Sequence, residues 1–166
     1  MSFAALANHA LAILVWGLVA SAVMATILEG SQYFGFSRLS LPFLFGTAFT
    51  ADRGRAMVLG FVLYTAGGLL FSILYFLIFA SVGLATWWLG TLFGAIHGLF
   101  LLIVFLPLLP YVHPRMATEF DGPAAVPRIE PPGIFGLYYG RRTPLTTMFG
   151  QVCYGAILGA GLSVAG

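Results

Sequence analysis

From Ala56 to Pro114 the chain carries no Asp, Glu, Lys or Arg. That run is 59 residues long, and a helix needs about 20 residues to cross the hydrocarbon of a bilayer. Two spans therefore fit within it, joined by a tight connection. The rest of the composition agrees. The protein is 60% hydrophobic and 7% charged, against about 25% charged in an ordinary soluble domain. Its charges are seven Arg and five acids, with no Lys, too few to build a water-facing surface. With a mean hydropathy of +1.00, the chain reads as an all-α integral membrane protein.

Four spans account for the apolar segments. The first is expected over residues 9–28, stopped by Glu29-Gly30, and the second over 57–81. A short outer hairpin at 82–87, marked by Gly83 and the Trp87-Trp88 pair, leads to the third at 88–106. Pro107 and Pro110 end that helix by removing backbone donors. The fourth runs over 143–164, with Pro144 placed in its first turn. Residues 1–10 contain no basic residue, so the first span reads as a retained helix rather than a signal peptide.

All seven Arg (Arg38, Arg53, Arg55, Arg115, Arg128, Arg141, Arg142) fall in the loops 29–56 and 107–142. The positive-inside rule places both loops in the cytoplasm and both termini outside, in a bacterial inner membrane. The loops are not ordinary polar linkers. Tyr33–Phe36 and a short helix over 41–49 read as segments lying in the headgroup layer. Residues 107–142 hold five further prolines (Pro114, Pro123, Pro127, Pro131, Pro132) and are expected to be extended, ending in a second surface anchor over 134–139. Cut after Val82, the halves are 82 and 84 residues long, and each is a span, an Arg-bearing loop and a span. Gly60, Val62, Tyr64 and Ala66 recur as Gly150, Val152, Tyr154 and Ala156. Two tandem helical hairpins in parallel orientation explain that match.

Lipid supplies little hydrophobic drive between helices, so small residues mark the faces that pack. Gly90, Gly94 and Gly98 in the third span, Gly155, Gly159 and Ser163 in the fourth, and Gly17, Ser21 and Ala25 in the first each form such a stripe. His97 is the one imidazole near the bilayer centre, about 20° around the helix from Gly90. Intramembrane ionisable groups mark function by default. One expectation is a neutral ring bonded to Tyr64, Gln151 or Tyr154. Another is an axial ligand to haem or a (bacterio)chlorophyll, with Gly94 and Gly98 clearing room for the macrocycle. His113 lies roughly 24 Å further along the helix, which argues against bis-histidine haem within the chain. Glu29 is expected to pair with an Arg.

Other chemistries are poorly served. The lone Cys153 excludes a thiol oxidase working through paired cysteines, and without basic clusters there is no nucleic-acid footprint. His113, Glu119, Asp121 and Glu130 fit no metal-ligand spacing, and no hydrolase, zincin, EF-hand or P-loop motif occurs. No catalytic residue is therefore assigned. The leading expectation is a non-catalytic accessory subunit of a respiratory or photosynthetic membrane complex, binding lipid and partner subunits through Arg53, Arg55, Arg141 and Arg142. The rivals are a pigment or haem protein using His97 and a small transporter or channel with a path along Glu29, His97 and Gln151.

Overall fold

The computed structural model describes residues 3–118 and 128–164. Glu119, Asp121, Pro123 and Pro127, and the side chain of Ser163, lie outside the described residues. The regular elements are α1 (Phe3–Tyr33), α2 (Leu41–Thr47), α3 (Arg53–Val82), α4 (Trp87–Phe100), α5 (Leu106–Val112) and α6 (Thr143–Val164). A π-helical stretch, Leu101–Phe105, fuses α4 to α5, and Ile134–Tyr139 form 3-10 turns before α6. Four stretches are long and apolar enough to cross a membrane: His9–Tyr33, Arg53–Val82, Trp87–Val112 and Thr143–Leu162.

Three helix ends differ from the sequence expectation. Glu29-Gly30 does not stop the first helix, which continues to Tyr33. A single glycine weakens a helix by only about 1 kcal/mol, and Ser31 Oγ and Gln32 Nε2 donate back to Leu28 O and Glu29 within the continuing helix. The chain turns at Gly35, whose φ of 70° suits glycine. The second span starts at Arg53 because Asp52 caps it, its carboxylate accepting the Arg55 N–H at 2.8 Å. Its far end closes on Gly83 in the left-handed region. The third span does not end at Pro107 but runs to Val112. The π stretch explains this, because a widened turn absorbs a proline's missing N–H and its clash with the preceding carbonyl. Pro107 then occupies the first turn of α5. The fourth span follows its expected bounds.

The helices pack through glycine at backbone distance. A Cβ on Gly90 would fall inside the carbonyl oxygen of Gly155, and one on Gly94 inside that of Gln151. Gly155 and Gly159 return the contact against Gly90 O and Thr86 O. Each step of four along α4 meets a step of four back along α6, so the two run antiparallel in a fixed register. On α1, Gly17 lies against Ser72 and Ser21 against Gly68 of α3, again antiparallel, with Ala25 half-buried at the next turn. Helix α1 also packs on α6, through Gly161 on Trp16 and Gly150 on Met24 and Leu28. The order around the bundle is therefore α3, α1, α6, α4. Between α3 and α4 the filling is aromatic: Phe71 on His97, and Tyr75 and Phe79 on Phe93.

The short α2 forms the expected helix near residue 41 but does not lie free in a headgroup layer. Leu41, Pro42, Leu44, Gly46 and Thr47 are buried. It runs antiparallel to the first turns of α3, with Gly46 against Ala56 O and Gly60 against Pro42 O. Val at Gly60 or Gly90 is expected to force these backbones apart and to cost about 3 kcal/mol, the upper range of overpacking. Ala at Gly67, which has nothing within 4 Å, is expected to gain about 0.5 kcal/mol from its lower unfolded-state entropy. Thermal unfolding in detergent distinguishes the two.

Candidate functional site

Three helices turn polar stripes into the bundle. On α6, Thr143, Thr147, Gln151 and Tyr154 follow one another at helical spacing, and none is more than 2% exposed. On α3 the buried stripe includes Tyr64, Gly68, Ser72 and Tyr75, and on α1 it includes Gly17 and Ser21. Tyr154 crosses the bundle to donate its hydroxyl to Gly68 O at 2.5 Å. Ser72 Oγ bonds to Leu69 O at 2.8 Å within its own helix and reaches Ile13 O on α1 at 3.4 Å. Thr143 Oγ1 meets Ser37 Oγ at 2.7 Å.

Other members of these stripes have no such partner. Among the described residues Ser21 Oγ, Tyr64 OH, Tyr75 OH, Thr147 Oγ1, Gln151 Oε1 and His97 Nδ1 are buried without a hydrogen bond from the protein. Left dry, such groups cost about 1–3 kcal/mol each, and native interiors leave very few.

His97 takes part in this region, though not as expected. The ring does not bond to Tyr64, Gln151 or Tyr154, since its Nδ1 has no partner. It packs on Phe71 at 4.1 Å between centroids, with Tyr75 at 6.2 Å and Tyr154 at 6.3 Å. It thus faces α3 and α6 from the edge of the α4 seam. Gly94 and Gly98 do not clear room for a macrocycle. Gly94 is covered by the Gln151 backbone and Gly98 by Met148 and Gln151 of α6.

Glu29, half-buried, stands at the α2 end of the column, and its partners correct the sequence expectation. It is held by Ser40 Oγ at 2.8 Å and Gln32 Nε2 at 2.7 Å, not by an Arg. The ion pair of the described residues is Arg38–Glu130 at 3.2 Å. It joins the two long loops. Beside it the Arg38 N–H donates to Tyr139 O at 2.7 Å, and its guanidinium donates to Tyr138 O. Tyr139 donates its hydroxyl to Glu130 O. Burial, then the Glu130 charge, hold this phenol above its ordinary range against the lowering effect of Arg38, so it stays a neutral donor.

His113 and Arg115 fasten α2, a role that sequence reading missed. His113 Nδ1 accepts the Arg115 N–H at 3.2 Å, which leaves Nε2 to donate to Leu44 O at 3.0 Å. The Arg115 guanidinium donates to Thr47 O at 2.8 Å and Ala48 O at 2.9 Å, the free carbonyls at the end of α2. His113 also lines an apolar cavity of about 390 Å³ with Phe45, Leu63, Gly67, Phe105 and Leu109. The cue was the His113-Pro114-Arg115 triplet directly after the third span, whose basic residues are placed to meet helix-end carbonyls.

Four further arginines form a rim at the same end. Arg53, Arg55 and Arg141 are exposed, and Arg142 is exposed with its guanidinium 4.8 Å over the Phe36 ring. The structure does not gather them into one pocket with His97. Comparison of the chain with protein-family models, curated proteins and solved structures finds no match. Replacing Arg115 by Ala is expected to destabilise the protein by about 2 kcal/mol, the worth of hydrogen bonds to a charged group, while Lys restores part of it. Limited proteolysis in the turn between α2 and α3 reads the loosening.

Proposed function

We propose that the chain is a non-catalytic accessory subunit of a larger membrane complex. It docks through its arginine rim and fills space in the lipid with its outward Leu, Val and Phe side chains. The observation that carries this reading is the placement of Arg53, Arg55 and Arg141. Each is exposed and none has a protein partner for its guanidinium among the described residues, yet each stands on a backbone that is firmly held. Arg53 and Arg55 open α3, which α2 clamps through Gly46 and Gly60. Arg141 follows the loop that Arg38, Glu130 and Tyr139 tie down. Planar guanidinium groups held in advance lose little freedom on meeting carboxylates or lipid phosphates.

In this reading the protein lies in a bacterial inner membrane as two tandem hairpins, α1 with α3 and α4 with α6. The α2 end faces the cytoplasm and both termini lie outside. Single cysteines at the exposed positions Ala51 and Leu84, on a Cys153→Ser background, test the orientation. An impermeant maleimide added to intact spheroplasts is expected to label Leu84→Cys and spare Ala51→Cys. The reverse pattern overturns the orientation.

The subunit reading itself is tested by gentle co-purification. The protein is expected to leave mild detergent with larger membrane partners, held less tightly as salt rises. The triple change of Arg53, Arg55 and Arg141 to Gln is expected to release those partners without lowering the melting temperature. Isolation of the unaltered protein as a lone monomer under the same conditions overturns the reading.

A further inference from the structure

The unpartnered polar groups line the inner faces of α1, α3, α4 and α6. The register of α1 on α3, Gly17 with Ser72 and Ser21 with Gly68, sets Ala25 opposite Tyr64 and Glu29 opposite Gly60. The register of α4 on α6 pairs Gly90 with Gly155 and Gly94 with Gln151, and sets Gly98 against Met148 and Gln151. Gly150 of α6 meets Met24 and Leu28 of α1, which brings Thr147 to the level of Glu29. Glu29, Thr147, Tyr64 and Gln151 thus occupy adjacent turns, about 5 Å apart. Beyond them, where Tyr75 lies eleven residues along α3 from Tyr64, the rings of Tyr75, Tyr154 and His97 stand within 5.6–6.3 Å of one another.

We propose that these side chains hold a cluster of internal waters linking the Glu29 carboxylate to the His97 imidazole, forming a buried proton-exchange site open toward the α2 end. Thr147, Gln151, Tyr64 and Tyr75 are each at most 5% exposed and lack a protein partner for the named polar atom. A buried water commonly makes about three hydrogen bonds to groups of this kind. The groups facing His97 are Phe71 and Tyr75 from α3 and Tyr154 from α6; the carboxylate at this end of the column is Glu29, from α1. A proton arriving at the Glu29 carboxylate passes along the waters to the free lone pair on the imidazole, giving an imidazolium. Its return leaves the neutral ring and a protonated carboxyl, so no other reactant is consumed. Toward the Trp87 end the way is closed by Phe79 against Phe93 at 6.0 Å, with Leu89 and Leu158 buried. The site therefore exchanges with one face of the membrane.

The test uses ¹⁵N-histidine protein in nanodiscs of phosphatidylcholine and phosphatidylglycerol, with magnetisation transferred from water to the protein by NMR. Transfer to the His97 ring nitrogens is expected, and the ring is expected to convert reversibly between neutral and protonated forms as bulk pH is stepped. Both responses are expected to be lost in Tyr64→Phe while the backbone spectrum is retained. If Tyr64→Phe does not fold, Thr147→Val, which trades a hydroxyl for a methyl of like size, carries the same readout. Absence of water transfer to His97 in the unaltered protein overturns the proposal. So does transfer that a folded variant leaves unchanged.

Discussion

Helices as long and apolar as these four would gain little in lipid by hiding surface from a solvent that is itself apolar, and close approach through small residues is what holds this bundle together. Glycine and serine provide it at three antiparallel seams, α4 on α6, α1 on α3, and α2 on α3. In the first and third, the backbone of one helix lies where a side chain of the other would have stood, and in the second a serine side chain fills that place on each helix. The seams set more than proximity. Along α4 and α6, where glycine recurs every four residues, sliding one helix by one position would drive a side chain into a carbonyl. Register and direction are fixed together. Large rings are then excluded from the seams and collect where no glycine stripe exists, between α3 and α4. The polar stripes of α1, α3 and α6 lie beside the seams and are carried inward with them.

This explains what could be read from the chain and what could not. The spans and their small-residue faces are periodic, local features, and a long uncharged run has few ways to satisfy its backbone in a bilayer. Gly90, Gly94, Gly155 and Gly159 could be picked out as contact positions by spacing alone. Helix ends were harder, because each depends on a rearrangement that no pattern announces. The π stretch before Pro107 allows that proline to sit inside a continuing helix, and the turn after α1 waits for Gly35. His97 shows a different limit. A helical wheel places it near the glycine face but says nothing of which neighbour fills the space beside it. Helix α6 fills the notch at Gly94 and Gly98, and the imidazole is turned to the rings of α3. Tyr75 escaped notice because an aromatic at four-residue spacing between Phe71 and Phe79 looks like filling.

The loops at the α2 end follow another logic. Their contacts join residues about 70 to 105 positions apart, such as Thr47 with His113 and Ser37 with Thr143, and long-range polar pairs leave no periodic trace. Their physical role is nonetheless plain. Carbonyls at the end of α2 lie at the edge of an apolar region and need donors, and Arg115 and His113 bring two. The backbone after α1 needs a tether across to the chain before α6, and Arg38, Tyr139 and Glu130 make one. Two of the seven arginines are thereby committed to the fold, which separates them from those left on the rim.

The likeness between Gly60–Tyr64 and Gly150–Tyr154 takes on meaning in this light. Both glycines are buried, and both tyrosines point into the bundle. Their surroundings diverge. Gly60 receives the backbone of α2 through Pro42 O, whereas Gly150 meets side chains of α1. Tyr154 spends its hydroxyl on Gly68 O, whereas Tyr64 has no protein partner for its own. A repeated unit packed against itself would have given both tyrosines the same acceptor. Here α2 occupies in the first half a position to which the second half brings only the 3-10 turns before α6. The difference leaves the polar groups around Tyr64 unmatched, next to Glu29, at the end of the bundle where the charged loops gather.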